Sequence, residues 1–166
     1  GKAATHHLRR HAILPCLGCH RCGSDPAGRC FQDGRDQSGP LFQELLGAPL
    51  LFFVSPIYYY HLPSIFKAFI DRAQAYYLRR EAGDPAMLEL PRRLAFCVLI
   101  AGRPTGEKLF AGSLLTLKYF LAPFNIRLAE PLLIRGKDGP SELSQDEDLC
   151  REIRSYARSA WENAFS

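Results

Sequence analysis

Leu50-Leu51-Phe52-Phe53-Val54, closed in by Pro49 on one side and Ser55-Pro56 on the other, is a continuous apolar run of strand length. A strand with one wetted face alternates apolar and polar residues, whereas an unbroken run is what a strand needs when both faces are covered. That is the pattern of a parallel sheet. Leu94 to Ile100 repeats it, and Ile126 to Ile134 is a third candidate, in which Pro131 points to a sheet edge or a bulge because proline gives the ladder no N–H. His11 to Leu14, ending at Pro15, reads as a short further strand that runs into a cysteine-rich loop.

Between these runs the apolar period lengthens from two to about 3.6 residues. Leu41, Phe42, Leu45 and Leu46 mark a short helix opened by Pro40 and stopped by Gly47. Leu62, Ile65, Phe66, Phe69, Ile70 and Ala73 mark another with Pro63 in its first turn, and Phe110, Leu114, Leu117 and Leu121 mark one that Pro123 ends. Ser144-x-x-Glu147 has capping-box spacing ahead of Leu149, Ile153, Tyr156 and Ala160, which share one stripe of a last helix. Strands alternating with crossover helices predict an α/β chain with a doubly wound parallel sheet and helices on both faces, in three layers. Such sheets bind ligands outside the carboxyl ends of their strands, so the loops after Val54, Ile100 and Ile134 are where a site is expected.

The 166 residues, 47% hydrophobic and 23% charged, suffice for one compact domain over positions 1–166 and are too few for two. Disorder, repeat arrays and coiled coils are excluded. Lys plus Arg number 21 against 17 Asp plus Glu, and a net charge of +4 is too mild for a nucleic-acid face. No charged side chain occurs from Leu45 to Phe66, but Pro49, Pro56 and Pro63 would break any membrane-spanning helix, so no membrane partner is expected. With no secretory pattern at the start, reduced thiols and a cytoplasmic location are expected.

Three stretches carry chemistry. Ser55-Pro56-Ile57-Tyr58-Tyr59-Tyr60-His61 offers loop amides, a hydroxyl and aromatic faces at a strand end, which suits a flat heteroaromatic ligand; the bland alternative is tyrosines half buried at a helix entrance. Ala101-Gly102-Arg103-Pro104-Thr105-Gly106 permits close backbone approach at Gly102 and places Arg103 to face an electron-rich ring. Its glycines do not match the dinucleotide fingerprint, and no lysine-bearing phosphate loop is present. Cys16, Cys19, Cys22 and Cys30, in the loop at 15–32, form C-x2-C-x2-C-x7-C. That spacing lets three thiolates wrap one corner of a cuboidal iron-sulfur cluster and a fourth return to close it, with structural zinc or unligated redox-active thiols as the alternatives. Cys97 and Cys150 read as packing residues, and His6, His7, His11, His20 and His61 as surface or rim residues.

Taken together, Pro15-Cys16-Leu17-Gly18-Cys19-His20-Arg21-Cys22, Ser55-Pro56-Ile57-Tyr58 and Leu62-Pro63-Ser64-Ile65-Phe66-Lys67-Ala68-Phe69-Ile70-Asp71-Arg72 resemble the flavodoxin-like NADPH-dependent FMN reductases, above all the branch that includes the iron-sulfur flavoproteins. The likeness runs from about Ile13 to the final helix. It implies that Ser55, Pro56, Ile57, Tyr58 and Tyr59 hold the FMN ring and ribityl chain, and that Gly102, Arg103 and Pro104 approach the isoalloxazine. It further implies a [4Fe-4S] cluster on Cys16, Cys19, Cys22 and Cys30, and a homodimer or homotetramer. The family's first strand, its serine- and arginine-containing loop for the FMN phosphate and its first helix have no counterpart in these residues. The expected function is electron transfer from NAD(P)H through FMN to a quinone, an aromatic or a protein acceptor. The alternative is an electron carrier between proteins without a small-molecule substrate. No side chain is expected to be catalytic, since such chemistry belongs to the cofactor.

Overall fold

A computed structural model of the chain describes residues 3–165. After a 3-10 turn at Leu8–Arg10 come α1 (Arg21–Ser24), α2 (Ser38–Gly47), β1 (Leu50–Pro56), α3 (Ser64–Arg72), α4 (Gln74–Glu81), α5 (Pro85–Leu88) and β2 (Arg93–Ala101). They are followed by α6 (Ala111–Leu121), a second 3-10 turn (Ala122–Phe124), β3 (Ile126–Leu128), β4 (Leu132–Arg135), α7 (Pro140–Ser144) and α8 (Glu147–Phe165). The elements fall into two compact units, Gly1–Ala48 with Ser64–Leu90, and Pro49–Pro63 with Pro91–Ser166.

The sheet belongs to the second unit. β2 is its centre, paired in parallel with β1 on one side and with both β3 and β4 on the other. Leu50 faces Leu94 and the register holds through Pro56 against Ile100. On the far side Ala95 faces Leu128, yet Val98 faces Leu132, so the register slips by one residue between β3 and β4. Pro131 lies in that slip. The run from 126 to 134 is therefore one sheet edge interrupted by a bulge, as a residue without an N–H requires.

Successive strand residues point to opposite faces. Phe53 meets Phe120 of α6 edge-on at 6.2 Å, whereas Phe52 and its register partner Phe96 meet Tyr156 of α8 at 6.3 and 5.9 Å. α6 and α8 thus cover opposite faces, giving the three layers that alternation predicts. β2 carries the core, with Ala95, Cys97 and Leu99 fully buried. β1 departs from expectation. Phe52 and Val54 are 40% and 65% exposed, because β1 is an edge of the sheet among the described residues and α8, whose Tyr156 meets Phe52, covers this face of it only in part.

The start of α8 also differs from the sequence reading. Ser144 ends α7, its hydroxyl donating to the Ser141 carbonyl, and it is Asp146 that accepts the Leu149 N–H (3.0 Å). Asp is as good a cap as Ser and stands directly before Glu147. α8 then presents Tyr156 and the buried Ala160 inward as its stripe predicts.

In the first unit Phe42 of α2 stacks on Phe69 of α3 (4.4 Å) and lies against Tyr76 of α4 (4.7 Å), which joins three helices at one aromatic cluster. The segment His11 to Leu14 is not a strand. Its N–H groups at Ala12 and Leu14 go to the side chains of Gln37 and Asp36, both at 2.8 Å. Side-chain acceptors there replace the neighbouring strand. Among the described residues no helix is long and apolar enough to cross a membrane.

Candidate functional site

Because β1, β2 and β4 are parallel, their carboxyl ends lie on one side of the sheet in the second unit, and the loops that leave them meet. Ile57 donates to the Ile100 carbonyl (2.7 Å), carrying the β1–β2 ladder past Pro56. Tyr58 and His61 then exchange two backbone hydrogen bonds (2.9 and 3.0 Å) and close a turn with Tyr59 and Tyr60 at φ 50° and 64°. Two consecutive left-handed residues are what a tight hairpin turn needs, and the usual occupants are Asn and Gly. Tyrosines in their place each cost about 1–2 kcal/mol. The turn is braced from α6, where Thr116 Oγ1 lies 3.0 Å from His61 Nε2 and Gly112 leaves room for the imidazole. Tyr59 is fully exposed at its tip and Tyr58 largely so.

The loop after β2 comes up against this turn. Gly102, Arg103, Pro104 and Thr105 are exposed, and the N–H groups of Gly102, Arg103 and Thr105 carry no hydrogen bond among the described residues. The Arg103 guanidinium stands 5.8 Å from the centre of the Tyr60 ring. From β4 the chain closes the third side. Gly136 donates to the Arg103 carbonyl and Lys137 to that of Ala101, both at 3.3 Å, and Arg135 Nη1 donates to the Gly106 carbonyl (3.3 Å). A β-carbon on Gly102 would lie 2.9 Å from the Asp138 carboxylate, so this backbone passes its neighbour without room for a side chain.

Of the residues singled out in the sequence, Tyr58, Tyr59, Gly102, Arg103 and Pro104 lie on these meeting loops. Pro56 is exposed beside them and Ile57 is buried. Ser55 is 2% exposed and its hydroxyl donates to the Pro56 carbonyl (2.9 Å). Sequence reasoning missed the connecting residues. Tyr60 is the contact between turn and loop, and Arg135 and Asp138 secure the loop from β4. Unengaged N–H groups, a guanidinium and tyrosine faces are a donor and stacking set that a planar ring with carbonyl edges fits.

The four cysteines gather in the first unit. Cys16, Cys19, Cys22 and Cys30 line one cavity of about 30 Å³, together with Leu17, Phe31 and Gln74. All four thiols are free. Left-handed backbone at Gly18, His20 and Gly28 bends the loop around the cavity, and at Gly28 any side chain would strike Arg79. Burial, then the nearby Cys30, push the Cys22 thiol up, with smaller contributions from Cys16 and Cys19. Cys16, Cys19 and Cys30 are therefore each within electrostatic reach of Cys22. Among the described residues no three His, Cys, Asp or Glu stand close enough to hold a single metal ion. Cys97 is fully buried in β2 and burial pushes its thiol up to about 11, which makes it inert as its apolar setting predicts.

A family model described as flavodoxin-like fold matches residues 4–157. The solved structures similar to the chain include one named flavone reductase, 16% identical, with a TM-score of 0.50 over 74% of this chain. The chain spans 43% of that structure, so the likeness concerns the fold. No curated protein matches.

Proposed function

The chain belongs to the flavodoxin-like fold family, and from that premise we propose that it is a flavin-dependent oxidoreductase of the NADPH-dependent FMN reductase kind, in the branch that also carries an iron-sulfur cluster. The observation that carries this reading is the meeting of three carboxyl-end loops, where the tyrosine turn, Arg103 and unengaged amides face outward together. Ser55, Pro56, Ile57, Tyr58 and Tyr59 would hold the FMN ring and ribityl chain from one side, and Gly102, Arg103 and Pro104 from the other. Ser55 would act through the strand-end backbone, its hydroxyl being engaged already.

FMN held by these residues would supply the chemistry, hydride acceptance from NAD(P)H and one- or two-electron transfer onward. The protein supplies position and charge. Arg103, held over the Tyr60 ring, would stabilise negative charge on an electron-rich ring edge, and the exposed tyrosines would shape the space for the acceptor. That acceptor is a quinone, another aromatic molecule or a redox protein. Cys16, Cys19, Cys22 and Cys30 would hold a [4Fe-4S] cluster, a reading supported by four soft ligands around one cavity. The cavity admits a water-sized body as it stands, so the loop would open around a cluster, and Gly18, with nothing within 4 Å of its missing side chain, has the freedom to give. Free thiols suit a reducing cytoplasm. Exposed Leu115 and Tyr119 on α6, and Trp161 and Phe165 on α8, offer apolar surface for a homodimer or homotetramer.

The test is an anaerobic visible spectrum of the purified protein with iron and sulfide analysis, followed by NAD(P)H oxidation with a quinone. Flavin bands, iron and sulfide in near-equal amounts, and steady turnover are expected. A colourless protein containing zinc would overturn the reading, and reduction by a ferredoxin alone would turn it toward the electron carrier.

A further inference from the structure

One buried side chain holds both ends of the cysteine loop without being able to ligate anything. Arg72 of α3, whose side chain is 1% exposed, directs Nη1 to the Leu14 carbonyl (3.3 Å) and the Asp36 carboxylate (2.5 Å), and Nη2 to Asp33 (3.2 Å). Leu14 lies two residues before Cys16, and its own N–H is held by the same Asp36 carboxylate (2.8 Å). Asp33 lies three residues after Cys30, and its other oxygen accepts the Cys30 N–H (3.2 Å). Between these ties, Gln32 donates across the loop to the Pro15 carbonyl (3.0 Å). A single guanidinium therefore fixes where the loop departs and where it returns.

Four thiols spread along a loop form a site only if its ends are kept together, and the entropy of closing the loop is otherwise charged against ligand binding. A guanidinium suits that task. Its planar fork offers five N–H donors in fixed directions and serves two carboxylates and a carbonyl at once, which an ammonium cannot do with the same geometry. A buried ion pair is a poor source of net stability against an apolar replacement, and is better understood as fixing geometry. The Arg72–Asp36 pair, with both side chains 1% exposed, is such a case.

We propose that Arg72, acting through Asp33 and Asp36, is a positioning residue that keeps the departure and the return of the cysteine loop together, so that the four thiols lining its cavity can close on a thiophilic metal centre. This inference rests on reading the cysteines as ligands. Its consequence is that the cysteine motif alone does not make the site, and that a charge on α3 is part of it.

The probe is Co²⁺ added anaerobically to the reduced full-length protein, read by its thiolate charge-transfer band, beside iron loading of the same samples. Asp33→Ala is the informative variant because Asp33 is 47% exposed and its loss leaves the Arg72–Asp36 pair in place. It is expected to keep the thermal midpoint of the parent while binding Co²⁺ at least about tenfold more weakly, with a reduced charge-transfer band. Asp33→Asn keeps an acceptor for the Cys30 N–H and is expected to recover part of the loss, while Arg72→Lys falls below the parent. Equal affinity and an unchanged band in Asp33→Ala and Arg72→Lys, with the parent binding normally, would overturn the positioning role. A parent that takes up neither cobalt nor iron would instead overturn the ligand reading, and this inference with it.

Discussion

The hydroxyl of Tyr60 lies 3.0 Å from the point that a β-carbon on Gly106 would occupy, and Gly106 sits at φ 150°. The loop after β2 can pass the strand-end tyrosine because position 106 carries no side chain. Gly106→Ala is expected to destabilise the protein by about 1–3 kcal/mol through backbone strain and displacement of Tyr60. Urea unfolding measures the loss. The same variant should weaken FMN binding, since Tyr60 is what Arg103 lies over.

The Tyr59-Tyr60 turn stores strain in the opposite sense. Replacing Tyr59 by Asn and Tyr60 by Gly supplies the residues that a left-handed pair prefers, and should stabilise the protein by about 2 kcal/mol. FMN affinity should fall in the same variant, because the stacking face and the Arg103 support go with the tyrosines. A gain in stability with unchanged flavin binding would show that the strained turn has no part in the site.

Asp36 gives the fold an acid-sensitive joint. Burial alone would raise its carboxyl, but hydrogen bonds from the Ser38 hydroxyl, the Leu14 and Ser38 N–H groups and the Arg72 guanidinium outweigh it and hold the group below its ordinary value of 3.8. A carboxyl depressed in the folded state adds stability above its unfolded pKa, and that increment is lost as pH falls through the folded one. Unfolding free energy should therefore decline below about pH 4, and Asp36→Asn should flatten the decline. Arg72→Met, which leaves the Asp36 charge buried without its ion pair, should cost about 3–5 kcal/mol at neutral pH.

Thiol labelling separates the cysteine loop from the core. In the folded protein freed of iron, Cys16, Cys19, Cys22 and Cys30 should react with iodoacetamide at pH 8 while Cys97, buried and at about 11, does not. Because the folded Cys97 pKa lies above the unfolded value of 9.0, its contribution to stability is lost as pH rises past 9.0. Mass spectrometry of peptides reads the pattern, and labelling of Cys97 ahead of the loop would contradict it.

Much of the fold was legible because its signals are local. The unbroken run at 94–100 is the buried centre of the sheet, and Pro131 marks the register slip beside it. The open face of β1 at Val54 was not legible, since which face of an edge strand is covered depends on elements distant in sequence. Nor was the loss of the strand at His11 to Leu14, where Asp36 and Gln37 replace a backbone partner. For the site, parallel strands send their carboxyl ends to one side, and that rule pointed to the loops after Val54 and Ile100, while the choice of Tyr58 and Tyr59 within the tyrosine stretch came from the family resemblance. Tyr60, Arg135 and Asp138 act by converging from separate loops, which no spacing records. Arg72 did leave a trace: a charge three residues after Phe69, on a helix face that is otherwise apolar.

Flavin binding by the strand-end loops is read by titrating FMN with the reduced protein while following flavin fluorescence. Saturation at about one FMN per chain is expected, with Arg103→Ala and Tyr59→Ala each weakening the affinity by about tenfold, or 1.4 kcal/mol. The absence of saturable binding, or binding indifferent to both substitutions, would contradict it.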